Sequence, residues 1–456
     1  MYFEQISTPG LGCFSYAIGC PAEGIMAVVD PRRDIGIYLQ IAEENEMQIT
    51  HIFDTHIHAD HISGAPELRS STNADVFIHE SASVGYEAKK IKSGDEFRLG
   101  SALIRVLHTP GHTPNSVSFL ITDMSRSPEP QMILTGDLLF VGDIGRPDLP
   151  GEEILNEQVE NLFNSLYNTL KPLPDYLEVY PAHGQGSLCG KGMSAKPSST
   201  LGYERIANPM FGYFDFNEFK NVVLSDLPVR PLSFSAIIDA NINGAALQPM
   251  RDFAEYAISA DKADELIKSG AVLLDLRDAA SYSAAHIPGS VNIDFSSGAI
   301  LNWVGIVIPP DAELVLIIPP DNCFEEVYTE LRRIGYDTVG GWLAGGFDAW
   351  KNSGREVQSL PHLSVSSLRE RLAKGDPPAV IDVRTRDEFM GMSIDGSINL
   401  PLNRIHDAAA LPVDMDHETV VVCQSGFRAS IAASILQSRG YTNISLLDGG
   451  MNEWEN

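Results

Sequence analysis

The sequence predicts a multidomain α/β protein, and three observations support this fold class. The chain has 456 residues, whereas a single hydrophobic core rarely grows beyond roughly 250–300 residues. Short β-branched runs alternate with helical patterns, as expected for parallel strands that are covered by helices. The C-terminal part contains an internal repeat. Hydrophobic residues make up 44% of the chain and charged residues 20%, which is typical of folded globular domains.

Residues 1–235 are predicted to form a layered α/β domain. Several apolar runs there indicate strands that end in polar loops, among them IMAVVD, ITHIFDT, DVFIHE, ALIRVLHT, SVSFLIT and QMILTGD. The segment 227–249 has three prolines and mixed polarity, so we predict that it connects this domain to the next. The first domain and its linker are therefore assigned to residues 1–250.

Two related units follow the first domain. The stretch LLDLRDAASYSAAHIPGSVNI at 273–293 matches VIDVRTRDEFMGMSIDGSINL at 380–400 with an offset of 107 residues. GGFDAW and GGMNEW match near the end of each unit. Each unit alternates apparent buried strands, such as AVLLDLR and PAVIDVR, with helical segments, which predicts βα units on a parallel sheet. We assign the two units to residues 251–358 and 359–456.

The composition excludes several classes of partner. The formal net charge is −29, and binding to nucleic acid or to an anionic membrane requires a basic surface. No run approaches the roughly 18 apolar residues of a membrane span, and the N-terminus has no targeting pattern. Five cysteines are too few for a disulfide framework in so long a chain. We expect a cytoplasmic protein that binds neither nucleic acid nor membranes, and a homo-oligomer is the expected assembly.

The motif THIHADH at 55–61 concentrates metal-binding side chains on one strand-end loop. Further candidates follow later strands, in TPGHTPNS, LTGDLLF and YPAHGQGS. A lone histidine is usually a packing or surface residue, but this many imidazoles and carboxylates at strand ends predict a metal site. Such ligands suit zinc, iron or manganese. The candidate ligands are His56, His58, Asp60, His61, His112, Asp137 and His183.

This order of motifs resembles the metallo-β-lactamase superfamily, which carries H-x-H-x-D-H followed by a His, an Asp and a final His. The resemblance covers residues 1–235 and implies an αββα sandwich with the metal at its edge. Two subfamilies fit. Glyoxalase II enzymes hydrolyse glutathione thioesters with two metal ions, which lower the pKa of bound water. Persulfide dioxygenases use one Fe(II) held by two histidines and one aspartate, which leaves positions for oxygen and substrate sulfur.

The resemblance to persulfide dioxygenases implies one Fe(II) per chain, bound by His56, His112 and Asp137. The other four candidates would then orient the ligands and water, namely His58, Asp60, His61 and His183. In the alternative, these residues help to hold two zinc ions per chain, as in glyoxalase II.

The segment GDIGRPDL at 142–149 favours the dioxygenase subfamily. In persulfide dioxygenases a G-R-[TP]-D segment follows the ligand aspartate, and its arginine lies close to the thiol substrate. Arg146 matches that arginine, and its planar guanidinium suits a substrate carboxylate. The alternative is a surface arginine in an ordinary salt bridge.

The cysteines of the first domain differ in their surroundings. Cys189, in HGQGSLCGKGMS, follows His183 in a glycine-rich loop that should return to the metal. It is a candidate auxiliary thiol that accepts or resolves a persulfide, and the alternative is an inert buried thiol. Cys13 and Cys20 have no basic neighbours and are interpreted as structural.

The segment VVVCQSGFRAS at 420–430 predicts a reactive cysteine. A buried strand leads through a short loop into a helix that starts near Arg428, so backbone N–H groups and the positive end of a helix surround Cys423. Both features stabilise a thiolate, and the arginine adds a cation that binds oxyanions. Cys423 and Arg428 are therefore the predicted catalytic residues. The intervening loop is predicted to bind substrate through Gln424, Ser425, Gly426 and Phe427.

This loop resembles the rhodanese family of sulfurtransferases, which carries C-x-x-x-x-R before a helix. The resemblance covers both repeats, including the Asp-x-Arg strand end and the terminal G-G-x-x-x-W. It implies that Cys423 takes up a sulfane sulfur as a persulfide and passes it to another thiol or anion. In the first repeat the offset puts Leu316–Ile318 at the nucleophile position, and acidic residues without an arginine follow. We predict that this repeat is inactive and that Cys323, several residues later, does not replace the nucleophile.

Together, the three domains resemble the fused persulfide dioxygenase–sulfurtransferases of bacterial sulfide detoxification. The resemblance implies that the first domain oxidises a low-molecular-weight thiol persulfide, such as glutathione persulfide, with oxygen to sulfite. The last domain would then form thiosulfate from sulfite or use thiosulfate in reverse. The alternative function is a binuclear zinc thioester hydrolase of the glyoxalase II type that is fused to a sulfurtransferase.

Overall fold

A computed structural model describes residues 1–225, 227, 229–247, 252–319, 324–375, 377–410 and 413–455. The chain forms two compact units, one of Met1–Pro249 with Arg332–Gly335 and one of Met250–Leu331 with Tyr336–Asn456. Within the described residues, no helix has the length and apolar character that a membrane span requires.

Two mixed sheets form the centre of the first unit. In the described part of the chain, the first sheet contains six strands in sequence order, namely β1 (Tyr2–Thr8), β2 (Cys13–Cys20), β3 (Ile25–Val29), β4 (Gln48–Phe53), β5 (Asp75–His79) and β6 (Lys89–Ile91). The second has the order β12-β11-β10-β9-β8-β7, built from β7 (Glu96–Leu99), β8 (Ala102–His108), β9 (Val117–Asp123), β10 (Met132–Gly136), β11 (Glu178–Pro181) and β12 (Ser199–Thr200).

Helices cover the outer faces of both sheets. The α-helices of this unit are α1 (Gly36–Glu44), α2 (Ala65–Thr72), α3 (Leu155–Asn164), α4 (Leu201–Ala207), α5 (Phe216–Leu224) and α6 (Ser233–Asn243). A π-helical turn at Ser165–Leu170 continues α3. Short 3-10 helices lie at Glu152–Ile154 and Pro209–Gly212.

The first unit has apolar clusters between its two sheets and between each sheet and the helices that cover it. Phe53 of the first sheet and Phe119 of the second pack against each other, with ring centroids 5.2 Å apart and ring planes inclined at 59°. Tyr38 and Leu68 of α1 and α2 pack on the outer face of the first sheet, and Leu162 of α3 packs on the second. Because both faces of each sheet are covered, strands such as β9 and β10 are buried at every residue. The four layers confirm the predicted αββα sandwich.

The predicted connection at 227–249 is wrong in one respect, because it contains α6. Phe234 and Ile237 lie three residues apart on this helix, 3% and 1% exposed, and Phe234 packs in a cluster with Ala59 and Leu149. The apolar spacing is that of an amphipathic helix, and the prolines that suggested a linker lie outside its ends. The segment is therefore part of the first unit.

Two parallel sheets form the second unit, and within the described residues each has five strands in the same topological order. The first repeat has the order β13-β17-β16-β14-β15, with β13 (Ala257–Ile258), β14 (Val272–Asp275), β15 (Val291–Asn292), β16 (Leu314–Ile317) and β17 (Val339–Leu343). The second repeat has the order β18-β22-β21-β19-β20, with β18 (His362–Leu363), β19 (Ala379–Asp382), β20 (Ile398–Asn399), β21 (Thr419–Val422) and β22 (Ile444–Leu447). All registered pairs are parallel, which confirms the predicted α/β class of both repeats.

The helices of the second unit lie between these parallel strands, as crossover connections require, except for the last helix, which follows the final strand. They are α7 (Ala260–Lys268), α8 (Ala279–Ala284), α9 (Ile300–Val307), α10 (Phe324–Arg333), α11 (Gly346–Asn352), α12 (Val365–Lys374), α13 (Arg386–Gly391), α14 (Phe427–Ser438) and α15 (Gly450–Trp454). Short 3-10 helices lie at Phe253–Tyr256, Phe295–Ser297 and Leu402–Ala410.

Replacing Phe234 with Ala tests whether α6 is an integral part of the first unit. We expect the free energy of unfolding of that unit to fall by about 3 kcal/mol, because the substitution leaves a cavity in a buried cluster. Hydrogen exchange of peptides from β1 to β12 in increasing urea measures this change unit by unit. The matched control is Leu232→Ala just before the helix, where the side chain is 40% exposed and the loss should stay near ~0.5 kcal/mol. Equal effects of the two variants would show that α6 is only a tether.

Candidate metal centre and sulfur-transfer loop

The candidate metal ligands converge because they follow strands of the two central sheets. THIHADH begins two residues after the end of β4, Asp137 directly follows β10, and His183 lies two residues after the end of β11. His112 comes from the loop between β8 and β9. All seven candidate ligands are buried, and buried clusters of histidine and aspartate are typical of a metal site.

One group consists of His56, His112 and Asp137, whose ligand atoms lie within 4.8 Å of one another. Asp137 Oδ2 is 3.3 Å from His112 Nε2 and 3.9 Å from His56 Nε2. Among the described residues, neither Asp137 Oδ2 nor His112 Nε2 has a hydrogen-bond partner. Leaving buried polar atoms unpaired is costly, so these three side chains fit a transition metal ion with open coordination positions.

The second polar atom of each of these side chains is held by the protein. His56 Nδ1 lies 2.9 Å from Thr55 Oγ1, and His112 Nδ1 lies 2.8 Å from the carbonyl oxygen of Arg146. Asp137 Oδ1 is 2.6 Å from His183 Nδ1. Contacts of this kind fix the orientation and tautomer of a metal ligand.

A second group adjoins the first and consists of Cys13, Asp60, His61 and His183. His183 Nε2 is 2.7 Å from Asp60 Oδ2, and the Cys13 thiol donates to the same oxygen at 3.2 Å. Burial lowers the pKa of His183, but the carboxylates of Asp137 and Asp60 outweigh this effect and raise it well above its ordinary value. Cys13, interpreted from sequence as structural, therefore belongs to the candidate metal centre. It lies in β2, far from the THIHADH motif in sequence, so the sequence gave no indication that it would be near the other ligands.

His58 faces a different neighbour from His56. Its Nε2 atom is 3.1 Å from Asp30 Oδ1, and it forms a third acidic group with Asp30 and Asp54. Within the described chain, His58 Nδ1 has no hydrogen-bond partner. The structure thus brings His58 next to His56, with ring centroids 4.2 Å apart, but outside the three-residue group.

Asn241 of α6 holds the THIHADH loop and was missed from the sequence. Its side-chain amide donates to the carbonyl oxygens of His58 at 2.9 Å and His61 at 2.8 Å. Its side-chain carbonyl oxygen accepts from the backbone N–H of Ser63 at 2.9 Å. These bonds span about 180 residues of sequence, and an asparagine in an expected linker offers no sequence signal for them.

Arg146 contacts the site through its backbone. The guanidinium is buried and forms two 2.7 Å hydrogen bonds with the carboxylate of Asp148, whereas its carbonyl oxygen holds His112. A substrate carboxylate would have to compete with Asp148 for the guanidinium. A Cβ atom on the preceding Gly145 would lie 1.9 Å from the carbonyl oxygen of Asp137 and 3.1 Å from His112 Nδ1. The GDIGR segment is thus packed directly against the candidate ligands.

Cys189 lies beside the centre, as its loop predicted. It is 1% exposed and groups with Asp137 and His183. Burial raises the pKa of this thiol well above its ordinary value, and the carboxylate of Asp60 adds to the effect. This environment favours the neutral thiol, which is a poor nucleophile.

The loop of the second repeat surrounds the predicted nucleophile. Cys423 directly follows β21 and is 1% exposed, and the N–H of Gly426 donates to its sulfur at 3.1 Å. Gly426 has a φ of 103°, a conformation that favours glycine, and α14 begins at Phe427. Ser425, which lies between Cys423 and Gly426, is exposed.

Side chains on either side of the loop are paired. Arg428 forms two hydrogen bonds with Glu388, at 2.8 and 2.7 Å, which lower the pKa of that carboxyl group to about 2. Gln424 accepts from Arg384 at 3.2 Å and donates to Asn452 at 2.7 Å. The predicted anion-binding arginine is therefore already paired with a carboxylate, which sequence reasoning missed.

The first repeat has no comparable loop in its described residues. Ile318 follows β16 where Cys423 follows β21, and Ser281 stands at the position of Glu388 by the 107-residue offset. Glu325 and Glu326 open the helix α10. Cys323 lies outside the described residues.

Comparisons with known proteins agree with these two sites. The metallo-beta-lactamase superfamily matches residues 9–183, and the rhodanese-like domain matches residues 259–353 and 364–456. A metallo-beta-lactamase of known crystal structure from Staphylococcus aureus is 32% identical with a TM-score of 0.69, over 75% of this chain and 99% of its own. The chain therefore belongs to the metallo-β-lactamase superfamily, and two rhodanese domains follow its metallo-β-lactamase domain.

Two curated relatives of the first domain have different activities. The mitochondrial persulfide dioxygenase ETHE1 of Mus musculus is 28% identical over 252 residues, which are 54% of this chain and 89% of the relative. A hydroxyacylglutathione hydrolase of Methylococcus capsulatus is 31% identical over 175 residues, which are 37% of this chain and 61% of the relative. The first domain is thus of a hydrolase or dioxygenase type.

Replacing Gly145 with Ala tests the packing of the GDIGR segment against the ligands. The new methyl group meets backbone, which cannot give way, so Asp137 and His112 must move. We expect metal affinity to fall about tenfold or more, the scale of lost ligand-orienting contacts, as measured by metal content after dialysis against a graded chelator.

Gly192→Ala in the neighbouring loop is the matched control, because nothing lies within 4 Å of its added Cβ atom. Circular dichroism verifies that both variants are folded. Full metal retention by a folded Gly145→Ala protein would contradict the role that we assign to the segment.

Proposed function

We propose that the first domain is a persulfide dioxygenase that uses one Fe(II) ion, held by His56, His112 and Asp137. The observation that carries this proposal is the buried three-residue group with its two unpartnered ligand atoms. Two histidines and one carboxylate are the ligand set of non-haem Fe(II) oxygenases. When bound, the iron would supply oxygen chemistry that amino-acid side chains lack.

The pairing of the remaining candidates supports one metal ion. His183 hydrogen-bonds to Asp60 and Asp137, and His58 uses Nε2 to contact Asp30. On this proposal these residues orient the three ligands and exclude water from the centre. His183 fixes the Asp137 carboxylate, so Oδ2 points into the three-residue group.

The proposed substrate is a low-molecular-weight thiol persulfide, such as glutathione persulfide. In the overall reaction, RSSH, O₂ and H₂O give RSH, sulfite and two protons. The sulfane sulfur loses four electrons, and the oxygen molecule accepts them. The similarity to a persulfide dioxygenase over 89% of that relative supports this substrate class.

We further propose that the second rhodanese domain transfers sulfane sulfur through Cys423. The thiolate takes the outer sulfur of an anionic donor and becomes a persulfide, while the remainder of the donor leaves with the bonding electrons. Attack of sulfite on the outer sulfur then forms thiosulfate and restores the thiolate. The N–H of Gly426 stabilises the anionic sulfur, and Arg428 binds the donor when that donor displaces Glu388.

A second candidate function is a zinc thioester hydrolase with two metal ions. It is favoured by the adjoining group of Cys13, Asp60, His61 and His183 and by the unpartnered Nδ1 atom of His58. The similarity to a hydroxyacylglutathione hydrolase supports it as well. Metal content and oxygen consumption separate the two candidates.

Anaerobic purification followed by metal analysis and oxygen-electrode measurements tests the dioxygenase. We expect about one iron per chain and oxygen uptake when glutathione persulfide is added, because three protein ligands leave positions for both reactants. His112→Ala should abolish both iron binding and uptake. Two zinc ions per chain with hydrolysis of S-lactoylglutathione, and no oxygen uptake, would establish the hydrolase instead.

Replacing Cys423 with Ser tests the separation of the two reactions. Serine cannot carry a sulfane sulfur under these conditions, so oxygen uptake should persist while the sulfur product changes from thiosulfate to sulfite. Ion chromatography of the products measures this change. Cys20→Ser is the control and should leave the product unchanged. Loss of oxygen uptake in the Cys423 variant would show that the two reactions are not independent.

A further inference from the structure

The helix α14, which follows the sulfur-transfer loop, is enclosed between the two rhodanese repeats. Eight consecutive residues of this helix, 429–436, are buried, so it has no solvent-exposed face over two turns. Strand β15 at the edge of the first repeat packs against it. The first repeat thus contributes directly to the surroundings of the loop in the second.

Asn292 of β15 connects the two repeats. Its side-chain carbonyl oxygen, Oδ1, accepts from the hydroxyl group of Ser430 at 2.8 Å, and its backbone N–H donates to the hydroxyl group of Ser434 at 3.0 Å. Its side-chain amide donates to the carbonyl oxygens of Asp275 and Arg277, at 3.0 and 2.8 Å. Asn292 is 1% exposed, so water cannot reach these polar groups, and they depend on one another for their hydrogen bonds.

The hydrogen bonds continue from Ser430 to the sulfur. The N–H of Ser430 donates to the carbonyl oxygen of Gly426 at 2.9 Å, and the N–H of Gly426 donates to Cys423 Sγ at 3.1 Å. The start of α14 has no side-chain cap. Its first turn therefore depends on outside contacts for its position.

The arrangement is not reciprocal between the repeats. Asn399 is the counterpart of Asn292 and donates to the carbonyl oxygens of Asp382 and Arg384, at 3.1 and 2.9 Å. It is only half-buried, and within the described residues it forms no hydrogen bond to the first repeat. Among the described residues, the asparagine contact thus runs only from the first repeat to the second, although His406 of the second repeat lies 2.9 Å from the carbonyl oxygen of Val307 in the first.

We propose that the first rhodanese repeat, which lacks a nucleophile of its own, positions the sulfur-transfer loop through Asn292 and Ser430. This contact fixes the first turn of α14, so that the N–H of Gly426 stays directed at Cys423 Sγ. The inference rests on the proposed role of Cys423 as the sulfur carrier. Asn292 and Ser430 are positioning residues, because neither touches the sulfur.

The physical effect of this contact is preorganisation. An N–H group directed at the sulfur stabilises its anionic form, as thiolate or as persulfide, more than the neutral thiol. If the helix start moves, the N–H turns away and the anion loses that stabilisation. Removing the Ser430 hydroxyl group also leaves Asn292 Oδ1 buried without a donor, which disturbs the packing at the first turn of α14.

Ser430→Ala and Ser434→Ala in the full-length chain form a matched pair for testing the proposal. Both remove one hydroxyl group that contacts Asn292 on the same helix, so both should lower the thermal midpoint by similar amounts. Only Ser430 lies on the path to the sulfur. The pH profile of iodoacetamide alkylation, followed on the Cys423 peptide by mass spectrometry, reports the stability of the thiolate itself.

The expected result is that Ser430→Ala moves the alkylation profile to higher pH by about half a unit, a roughly threefold change in thiolate population. Its kcat for sulfur transfer from thiosulfate to a thiol should fall by a similar factor with little change in KM. Ser434→Ala should match the wild type in both measurements. Asn292→Ala in the Ser430→Ala background should add no further shift, because the two residues act through one contact.

Two results would overturn the inference. Equal profiles for Ser430→Ala and the wild type, or equal shifts for both serine variants, would show that the contact is only structural. A wild-type protein in which the Cys423 peptide is neither alkylated nor persulfidated would instead refute the proposed sulfur-transfer function.

Discussion

The candidate metal centre depends on the contacts of the Asp137 carboxylate. Its Oδ2 atom faces His56 and His112 without a hydrogen-bond partner, while Oδ1 contacts His183. One carboxylate thus belongs to an open group of three ligands and orients the histidine of the adjoining group. Oδ2 is thus the oxygen atom of this carboxylate that is available to a metal ion. The position of Asp137 also requires glycine at residue 145, since the Cβ atom of any other residue there would collide with the carbonyl oxygen of Asp137.

Much of the first domain was predictable because its ligands follow strands. Residues at strand ends of stacked sheets meet at one edge, so the motif and the later His and Asp residues were expected to converge. The contacts that hold them were not predictable. Asn241 bonds to backbone carbonyl groups, and Arg146 holds His112 through its own carbonyl oxygen. Backbone acceptors are the same for every residue type, so such contacts leave no pattern in the sequence. Cys13 was missed for a related reason, since only the fold brings β2 beside Asp60.

The repeat allowed more to be predicted in the second unit. The offset identified the missing nucleophile of the first repeat, and the structure puts Ile318 at the strand end as expected. The same offset aligns Glu388 with Ser281, so the carboxylate partner of Arg428 is absent where the arginine is absent. The two positions together indicate that Glu388 and Arg428 form a pair. The support from Asn292 could not be read in this way, because the two asparagines are equivalent in sequence and differ only in what packs against them.

The pairing of Arg428 with Glu388 bears on how an anionic donor reaches the sulfur. The two side chains retain 21% and 33% of their exposure, and a partly exposed ion pair contributes only about 0.2–1 kcal/mol. If the loop transfers sulfur as proposed, a dianionic donor such as thiosulfate can displace Glu388 from Arg428, while a neutral disulfide gains nothing from doing so. The two hydrogen bonds to Glu388 hold the Arg428 guanidinium in place, which would spare an anionic donor part of the ordering cost of a long side chain. On the proposed function, the ion pair selects donors by their charge, and the N–H of Gly426 stabilises the sulfur that is transferred.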